Sequence, residues 1–378
     1  MQLSNQSRRK FLYNLGLAGL SVPLAASTAF CNEETSRQKS HDQMNKDKLG
    51  VALVGLGGYA SGQLAPALQQ TEHCYLAGIV TGTPSKAASW KEQYNIPDKN
   101  IYNYENFDSI KENPDIDIVY VVLPNAMHAE YTIRAAQAGK DVICEKPMAI
   151  SVAECDAMMA ACKKAGKLLS IGYRLHFDPY HLAFSKLVQQ RNYGETTNIT
   201  AGFGFRAPKG IWRLDKKLAG GGALMDLGIY CLQAVCYSSG QLPIAITAQA
   251  SPISDKEKFI DIEETLTWQM EMPGGLKAEC KTSYTDGMNY LRTDGDKGWI
   301  ELKPAFGYSG IQGNSSDKRP MKFGRFSQQA RQLDGIAAAY KKKQNSIVPG
   351  EMGRRDLKII TAIYEAMRTG RRVPVNYG

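Results

Sequence analysis

Three short stretches carry residue types able to do chemistry. Gly55-Leu56-Gly57-Gly58-Tyr59-Ala60 follows the apolar run Leu49 to Val54 and precedes a helical pattern through Leu64, Ala67 and Leu68. In such a strand, glycine turn and helix, Gly55 allows the tight bend, Gly57 lets bare backbone approach a pyrophosphate, and Ala60 lets the helix pack on its strand. The N–H groups at the helix start, around Gly58 and Tyr59, then hold the phosphates of a dinucleotide. Further on, Glu145-Lys146-Pro147 closes the strand-like run Asp141 to Cys144. An ammonium fixed there beside a nicotinamide favours ionisation of a substrate hydroxyl. Between them, Leu123-Pro124-Asn125 and His128 follow the buried run Ile116 to Val122. Ligands of open parallel sheets sit at the carboxyl ends of strands, which points Asn125 and His128 at the cofactor crevice.

These groups need a scaffold, and the hydrophobic pattern supplies one. A second strand, Tyr75 to Val80, arrives about 20 residues after the glycine turn, as a βαβ unit requires. Its end selects the dinucleotide. An NAD site usually places a carboxylate there for the ribose hydroxyls, whereas Thr81-Gly82-Thr83-Pro84-Ser85-Lys86 contains none. NADP is therefore expected over NAD, with Thr81, Ser85 and Lys86 at its 2′-phosphate.

From Leu168 the pattern changes to strand-like stretches (Thr197 to Phe205, Ile244 to Ala250, Thr265 to Met270, Leu276 to Thr282, Gly298 to Leu302) separated by glycine-rich turns. The expected class is α/β: an NADP-binding Rossmann domain over 49–167 with a parallel sheet, then an α+β substrate and oligomerisation domain over 168–350 with a mainly antiparallel sheet. A helix within 351–378 is expected to return to the first domain. Alternating apolar positions leave one sheet face for assembly into a homodimer or homotetramer.

Composition bounds the alternatives. The 378 residues are 43% hydrophobic and 22% charged, a globular balance with room for two domains and no polytopic membrane pattern. The formal net charge of +9 is spread along the chain, which suits anionic small ligands and argues against a nucleic-acid partner. Eight cysteines without a C-x-x-C read as free thiols, and five histidines without ligand spacing predict no metal. Residues 1–31, with Arg8-Arg9-Lys10-Phe11-Leu12, an apolar stretch and Ser27-Thr28-Ala29, read as a twin-arginine signal, and 32–48 as a polar arm. Export in the folded state to the periplasm is expected, without stable membrane insertion after the signal is removed. The bulky Phe30 argues against lipid anchoring at Cys31.

Taken together with Gly220-Gly221-Gly222-Ala223-Leu224-Met225-Asp226-Leu227-Gly228-Ile229-Tyr230, these motifs make the chain resemble the glucose-fructose oxidoreductase/inositol dehydrogenase (Gfo/Idh/MocA) family from Leu49 onward. The resemblance implies an open-faced second sheet that covers the nicotinamide. It also implies three chemical positions: Lys146, Asp226 and, four residues on, the general base Tyr230. A four-residue helical step puts the last two on one face. Many family dehydrogenases have His where Tyr230 stands. Tyr there, with Gly172 to Pro179 and Trp212-Arg213-Leu214, resembles the exported glucose-fructose oxidoreductase branch. Leu123, Pro124, Glu145 and Arg174 then belong with the cofactor contacts, and His176, Tyr180 and Arg213, again with Arg174, are candidates for sugar contacts. A phenol ordinarily keeps its proton up to about pH 10, so Lys146 is expected to stabilise the phenolate. The implied activity is hydride transfer between a sugar and a tightly bound NADP, coupling aldose oxidation to reduction of a second sugar. Two alternatives stay open: a glycosidase that oxidises its sugar transiently, and a simple sugar dehydrogenase with exchangeable NADP. The intact trio of Lys146, Asp226 and Tyr230 argues against a noncatalytic binder.

Overall fold

Short apolar runs alternating with glycine turns and helices build the first half of the computed structural model, which describes residues 47–378. The expected signal at 1–31, with Cys31, and nearly all of the arm lie outside the described residues. β1 (Leu49–Val54) is buried from Gly50 onward, as a central strand covered on both faces must be. After the glycine turn a π-helical turn (Ala60–Leu64) runs into α1 (Ala65–Leu68). Then come β2 (Cys74–Val80), α2 (Pro84–Tyr94), β3 (Ile101–Tyr102), β4 (Ile118–Val121), α3 (His128–Gln137), β5 (Asp141–Cys144), α4 (Val152–Ala165) and β6 (Leu169–Ile171). The six strands lie in the order β3-β2-β1-β4-β5-β6, and every pairing is parallel. Strand order reverses between β1 and β4, which opens a crevice at their carboxyl ends.

The second half continues with α5 (Pro179–Gln189), β7 (Thr196–Gly204), α6 (Lys216–Ala219), a π-helical turn (Leu224–Gly228) leading into α7 (Ile229–Ser239), and β8 (Ala245–Ala250). β9 (Thr265–Glu271), β10 (Lys277–Ser283), β11 (Met288–Gly295), β12 (Gly298–Leu302), β13 (Gly313–Ser315), α8 (Gln328–Lys341), α9 (Gly350–Thr369) and β14 (Val373–Pro374) complete it. Eight strands form one sheet, β13-β12-β11-β7-β10-β9-β8-β14. Only the β7–β10 pairing at its centre is parallel. Leu266, Trp268 and Met270 of β9 and Ala278 and Cys280 of β10 face inward, toward the buried α7, while Thr267 and Glu279 face out. The α/β class with a parallel first sheet and a mainly antiparallel second one is thus realised.

Five strands escape sequence reading, among them β3 and β6 of the first sheet, which are only two and three residues long. β11 has inward positions filled by Leu291 and Thr293 and outward ones by Tyr290 and Arg292, so its apolar alternation is faint. β13 and β14 are edge strands of three and two residues, too short to show a period. α9 packs on α4 and β6 and also on β8, so it braces both sheets, and the chain ends beside β8 as β14. The seven described cysteines are all free and buried.

Candidate active site

A cleft of about 800 Å³ runs from the carboxyl ends of the parallel strands to the start of α7. Its first wall is mostly backbone. Gly55 has φ +94°, and a β-carbon on it would stand 2.6 Å from the Val122 carbonyl oxygen, so only glycine makes this turn. At Gly57 and Gly58 a β-carbon would meet nothing within 4 Å. Bare backbone therefore faces open space where a pyrophosphate fits. Lys86 Nζ folds back from α2 to donate to the Leu56 carbonyl at 3.2 Å, placing an ammonium over the turn. Thr81 lines the cleft and accepts the Thr83 N–H at 3.2 Å. Ala60 is buried where the π-helical turn meets the sheet.

The floor is tied together by groups that spend their polar atoms on the protein. Asn125 Nδ2 donates to the Ala219 carbonyl at 2.8 Å, linking the end of β4 to α6. His128 is fully buried, with Nδ1 2.9 Å from the Pro147 oxygen and Nε2 2.9 Å from the Leu123 oxygen. Burial pushes its pKa down although these carbonyls act the other way. Glu145 accepts the Tyr120 hydroxyl at 2.6 Å and the Lys146 N–H at 3.2 Å. Burial raises its carboxyl above the usual range.

The opposite wall holds the charges. Gly220 ends α6 at φ +79°, and a β-carbon on Gly222 would stand 2.2 Å from the Glu263 carbonyl oxygen. The buried Glu263 carboxylate accepts the Gly222 N–H at 3.0 Å and the Leu224 N–H at 2.8 Å. That close approach feeds the chain into the Leu224–Gly228 π-helical turn, a distortion that recurs at functional sites. Asp226 lies in this turn and Tyr230 in the first turn of α7, so the simple α-helical step expected from their spacing is replaced by a wider one. Both still line the cleft.

Lys146 Nζ donates to the Asp226 carbonyl at 2.7 Å and lies 3.3 Å from its Oδ1. Arg213 Nε stands 3.1 Å from the same Oδ1, and the Tyr284 hydroxyl donates to Oδ2 at 3.2 Å. Burial opposes ionisation of Asp226, yet Lys146 and Arg213 outweigh it and hold the carboxyl below its usual range. Tyr230 lies between cations: Lys146 Nζ is 4.6 Å and Arg174 Cζ 5.0 Å from its ring centroid. A negative charge on this phenol would be stabilised from both groups. Arg174 is buried and donates to the carbonyls of Phe306 at 2.6 Å and Gly307 at 3.1 Å, and to Gln328 Oε1.

The structure gathers Gly55, Gly57, Gly58, Tyr59, Thr81, Lys86, Leu123, Pro124, Asn125, His128, Glu145, Lys146, Arg174, Arg213, Asp226 and Tyr230 around one cleft. Ser85 is exposed in the first turn of α2 and Ala60 sits behind the glycine turn, and neither lines it. His176 is also outside: its Nε2 is engaged by Gln233 Oε1, and its ring packs on Tyr237. Tyr180 packs edge-on against Phe323, with centroids 4.8 Å apart, and does not reach the cleft either. These two departures have one cause, since the helical segment after Arg174 turns toward α7 and α8. Sequence reading missed Tyr284, Phe203, Phe306 and Tyr308. Tyr308 alone had a signal, an aromatic between glycines in Phe306-Gly307-Tyr308-Ser309-Gly310. Among the described residues no group of three His, Cys, Asp or Glu side chains is placed to hold a metal.

A parallel six-stranded sheet with a glycine turn at its switch point, facing an open second sheet across a charged cleft, defines a two-sheet nucleotide-binding oxidoreductase. Residues 49–173 match the family described as "Oxidoreductase family, NAD-binding Rossmann fold", and 181–301 match "GFO/IDH/MocA C-terminal domain". The chain belongs to the Gfo/Idh/MocA oxidoreductase family. It is 27% identical over 329 residues to a D-xylose 1-dehydrogenase [NADP(+)] of Haloarcula marismortui, covering 84% of this chain and 91% of the relative. The solved aldose-aldose oxidoreductase of Caulobacter crescentus, complexed with glycerol, superposes with a TM-score of 0.84 at 42% identity, over 86% of this chain and 99% of that one. A levoglucosan dehydrogenase solved with NADH and levoglucosan shares the fold, with TM-score 0.74 and 20% identity over 87% of this chain and 99% of that one.

Proposed function

We propose that this chain is an exported NADP-dependent sugar oxidoreductase that moves hydride between a sugar and a tightly held nicotinamide, coupling oxidation of an aldose to reduction of a second sugar. The observation that carries this reading is the meeting of Lys146, Asp226 and Tyr230 in the cleft that also holds the glycine turn. The Gly57-Gly58 backbone and Lys86 would hold NADP, which would supply the hydride acceptor and donor. Tyr230 Oη takes the proton of the sugar hydroxyl being oxidised. Lys146 and Arg174 stabilise the phenolate form of Tyr230 that accepts this proton and so becomes the neutral phenol, and Asp226 fixes the direction of Lys146 and Arg213. Arg213, with 37% of its side chain exposed, has donors left for sugar hydroxyls. The carboxylate-free end of β2 supports NADP, as does the name of the Haloarcula relative. Export rests on the twin-arginine pattern, and a coupled two-sugar reaction agrees with the name of the Caulobacter structure. Assembly into dimers or tetramers is assigned to the polar outer face of the second sheet, around Thr267 and Glu279.

A simple dehydrogenase with exchangeable NADP is the second reading, favoured by the name of the Haloarcula relative. One experiment separates them. The mature protein, purified without added coenzyme, is mixed with aldoses and ketoses singly and in pairs while absorbance at the reduced-nicotinamide band is followed. A retained coenzyme gives a single-turnover burst with one sugar and continuous product with two. Steady NADPH accumulation from one sugar and added NADP overturns the coupled reading, and absence of any nicotinamide signal overturns both.

A further inference from the structure

The cleft has a cross-contact that the chemistry above does not use. Tyr59, at the start of the π-helical turn on the backbone wall, stacks on Tyr308 of the β12–β13 connection, with centroids 5.8 Å apart and planes inclined by 30°. Both rings line the cleft, and the pair spans it from the parallel-sheet half to the second-sheet half. Arg174 lies beneath, with its Cζ 4.6 Å from the Tyr308 centroid. We propose that Tyr308 is a clasp that closes on Tyr59 over the bound dinucleotide and makes it a retained rather than an exchangeable coenzyme.

Three features of the connection support this, and the inference rests on the NADP reading above. Its base is pinned. Asn289 Oδ1 accepts the N–H groups of Ala305 and Phe306 at 2.7 and 2.6 Å, and Arg174 holds the carbonyls of Phe306 and Gly307. Its tip is not. Tyr308, Ser309 and Gly310 are exposed, and Gly307 and Gly310 flank the Tyr308-Ser309 pair, the latter at φ +74°. Finally, Tyr308 is 47% exposed as a residue, while its ring contacts Tyr59 and the guanidinium. Arg174 is held here by ring contacts with Tyr308 and Tyr230 as well as by its hydrogen bonds to the Phe306 and Gly307 carbonyls. A rigid base, a short glycine-flanked tip and an aromatic contact across the opening together make a latch. A dinucleotide lying along Gly57-Gly58 toward Lys146 passes beside Tyr59, so its departure requires the Tyr59–Tyr308 contact to open. Aromatic pairs contribute about 0.5–1.5 kcal/mol beyond their burial, which corresponds to roughly a two- to tenfold change in release rate from the ring pair alone.

The test is release of the coenzyme from the full-length wild type and from Tyr308→Ala and Tyr308→Phe. Protein reduced with a sugar is mixed with excess oxidised NADP, and loss of bound reduced-nicotinamide fluorescence is timed. The expected result is release several-fold faster from Tyr308→Ala, with two-sugar turnover becoming dependent on added NADP, and near wild-type retention for Tyr308→Phe, which keeps the ring. Equal release from wild type and Tyr308→Ala overturns the clasp and leaves NADP-dependent sugar oxidation standing. Failure of the wild type to bind NADP or NADPH at all overturns the underlying reading, and the clasp with it.

Discussion

Around the glycine turn the protein presents backbone to open space and commits few side chains, whereas across the cleft Asp226 holds Lys146 and Arg213, and the Phe306 and Gly307 carbonyls hold Arg174. The first wall is a mould whose partners must come from the ligand. The second is a preorganised field, in which charges are fixed where new charge develops, so that little reorganisation is needed during reaction. If this division is right, damage to the second wall lowers turnover with the coenzyme still bound, and damage to the first lowers affinity with chemistry intact.

The largest expected effect is on the second wall. Tyr230→Phe removes the proton acceptor and keeps the ring between its two cations, so kcat falls by about 10³-fold, within the range of general acid–base contributions. Coenzyme binding, measured by fluorescence titration, stays within about twofold of wild type. Unchanged turnover would remove Tyr230 from the role of base and collapse the contrast. Lys146→Met comes next. It leaves the phenolate with Arg174 alone, and a loss of about 10²-fold in kcat/KM is expected, comparable to deleting one oxyanion donor. A raised KM with kcat unchanged would mean that Lys146 serves only to position Asp226 and the sugar.

The two walls also differ in how far the sequence revealed them. The backbone wall was legible because its chemistry is local: Gly55 to Ala60 and Thr81 to Lys86 each form their feature within six consecutive residues, at the end of a strand that periodicity identifies. On the charged wall only Lys146 was legible from its local sequence, at the end of a strand-like run, and Asp226, Tyr230, Arg174 and Arg213 were legible only through family resemblance. Lys146 and Asp226 are 80 residues apart and meet because Glu263, from a third segment, pulls the Gly222 backbone in. Residues defined by such long-range closure were the ones missed. Tyr284 follows β10 and reaches Asp226 through the central β7–β10 pairing of the sheet, and nothing near it in sequence marks it. His176 and Tyr180 failed in the opposite way, because a polar side chain near a motif can turn into the protein as easily as into the cleft.

On the first wall, Lys86→Ala tests the mould. Its ammonium lies over the turn and hydrogen-bonds the Leu56 carbonyl rather than a carboxylate. Removing it should weaken NADP binding by about tenfold, the size of one charge-assisted hydrogen bond. NAD binding should change little, and kcat at saturating NADP should be that of the wild type. Equal losses for both coenzymes would show that Lys86 supports the glycine turn instead of reading the 2′-phosphate.

The smallest effect concerns the stability of the second wall and its dependence on pH. Asp226 is buried, which opposes its ionisation, but Lys146 and Arg213 prevail and depress its pKa. A carboxyl depressed in the folded state binds protons more readily when unfolded, so its stabilisation is complete above the unfolded value, about 4, and fades as pH falls through the folded one. Asp226→Asn lacks this contribution at neutral pH and leaves Lys146 and Arg213 without their counter-charge. Its thermal midpoint should therefore lie below that of the wild type at pH 7, with the gap narrowing as the pH drops below about 4, where the unfolded wild-type chain begins to protonate this carboxyl while the folded one still holds it ionised. Paired melting curves across that range measure the gap directly. A gap independent of pH would mean that the asparagine variant is weakened by packing, and that Asp226 is not the electrostatic centre of this wall.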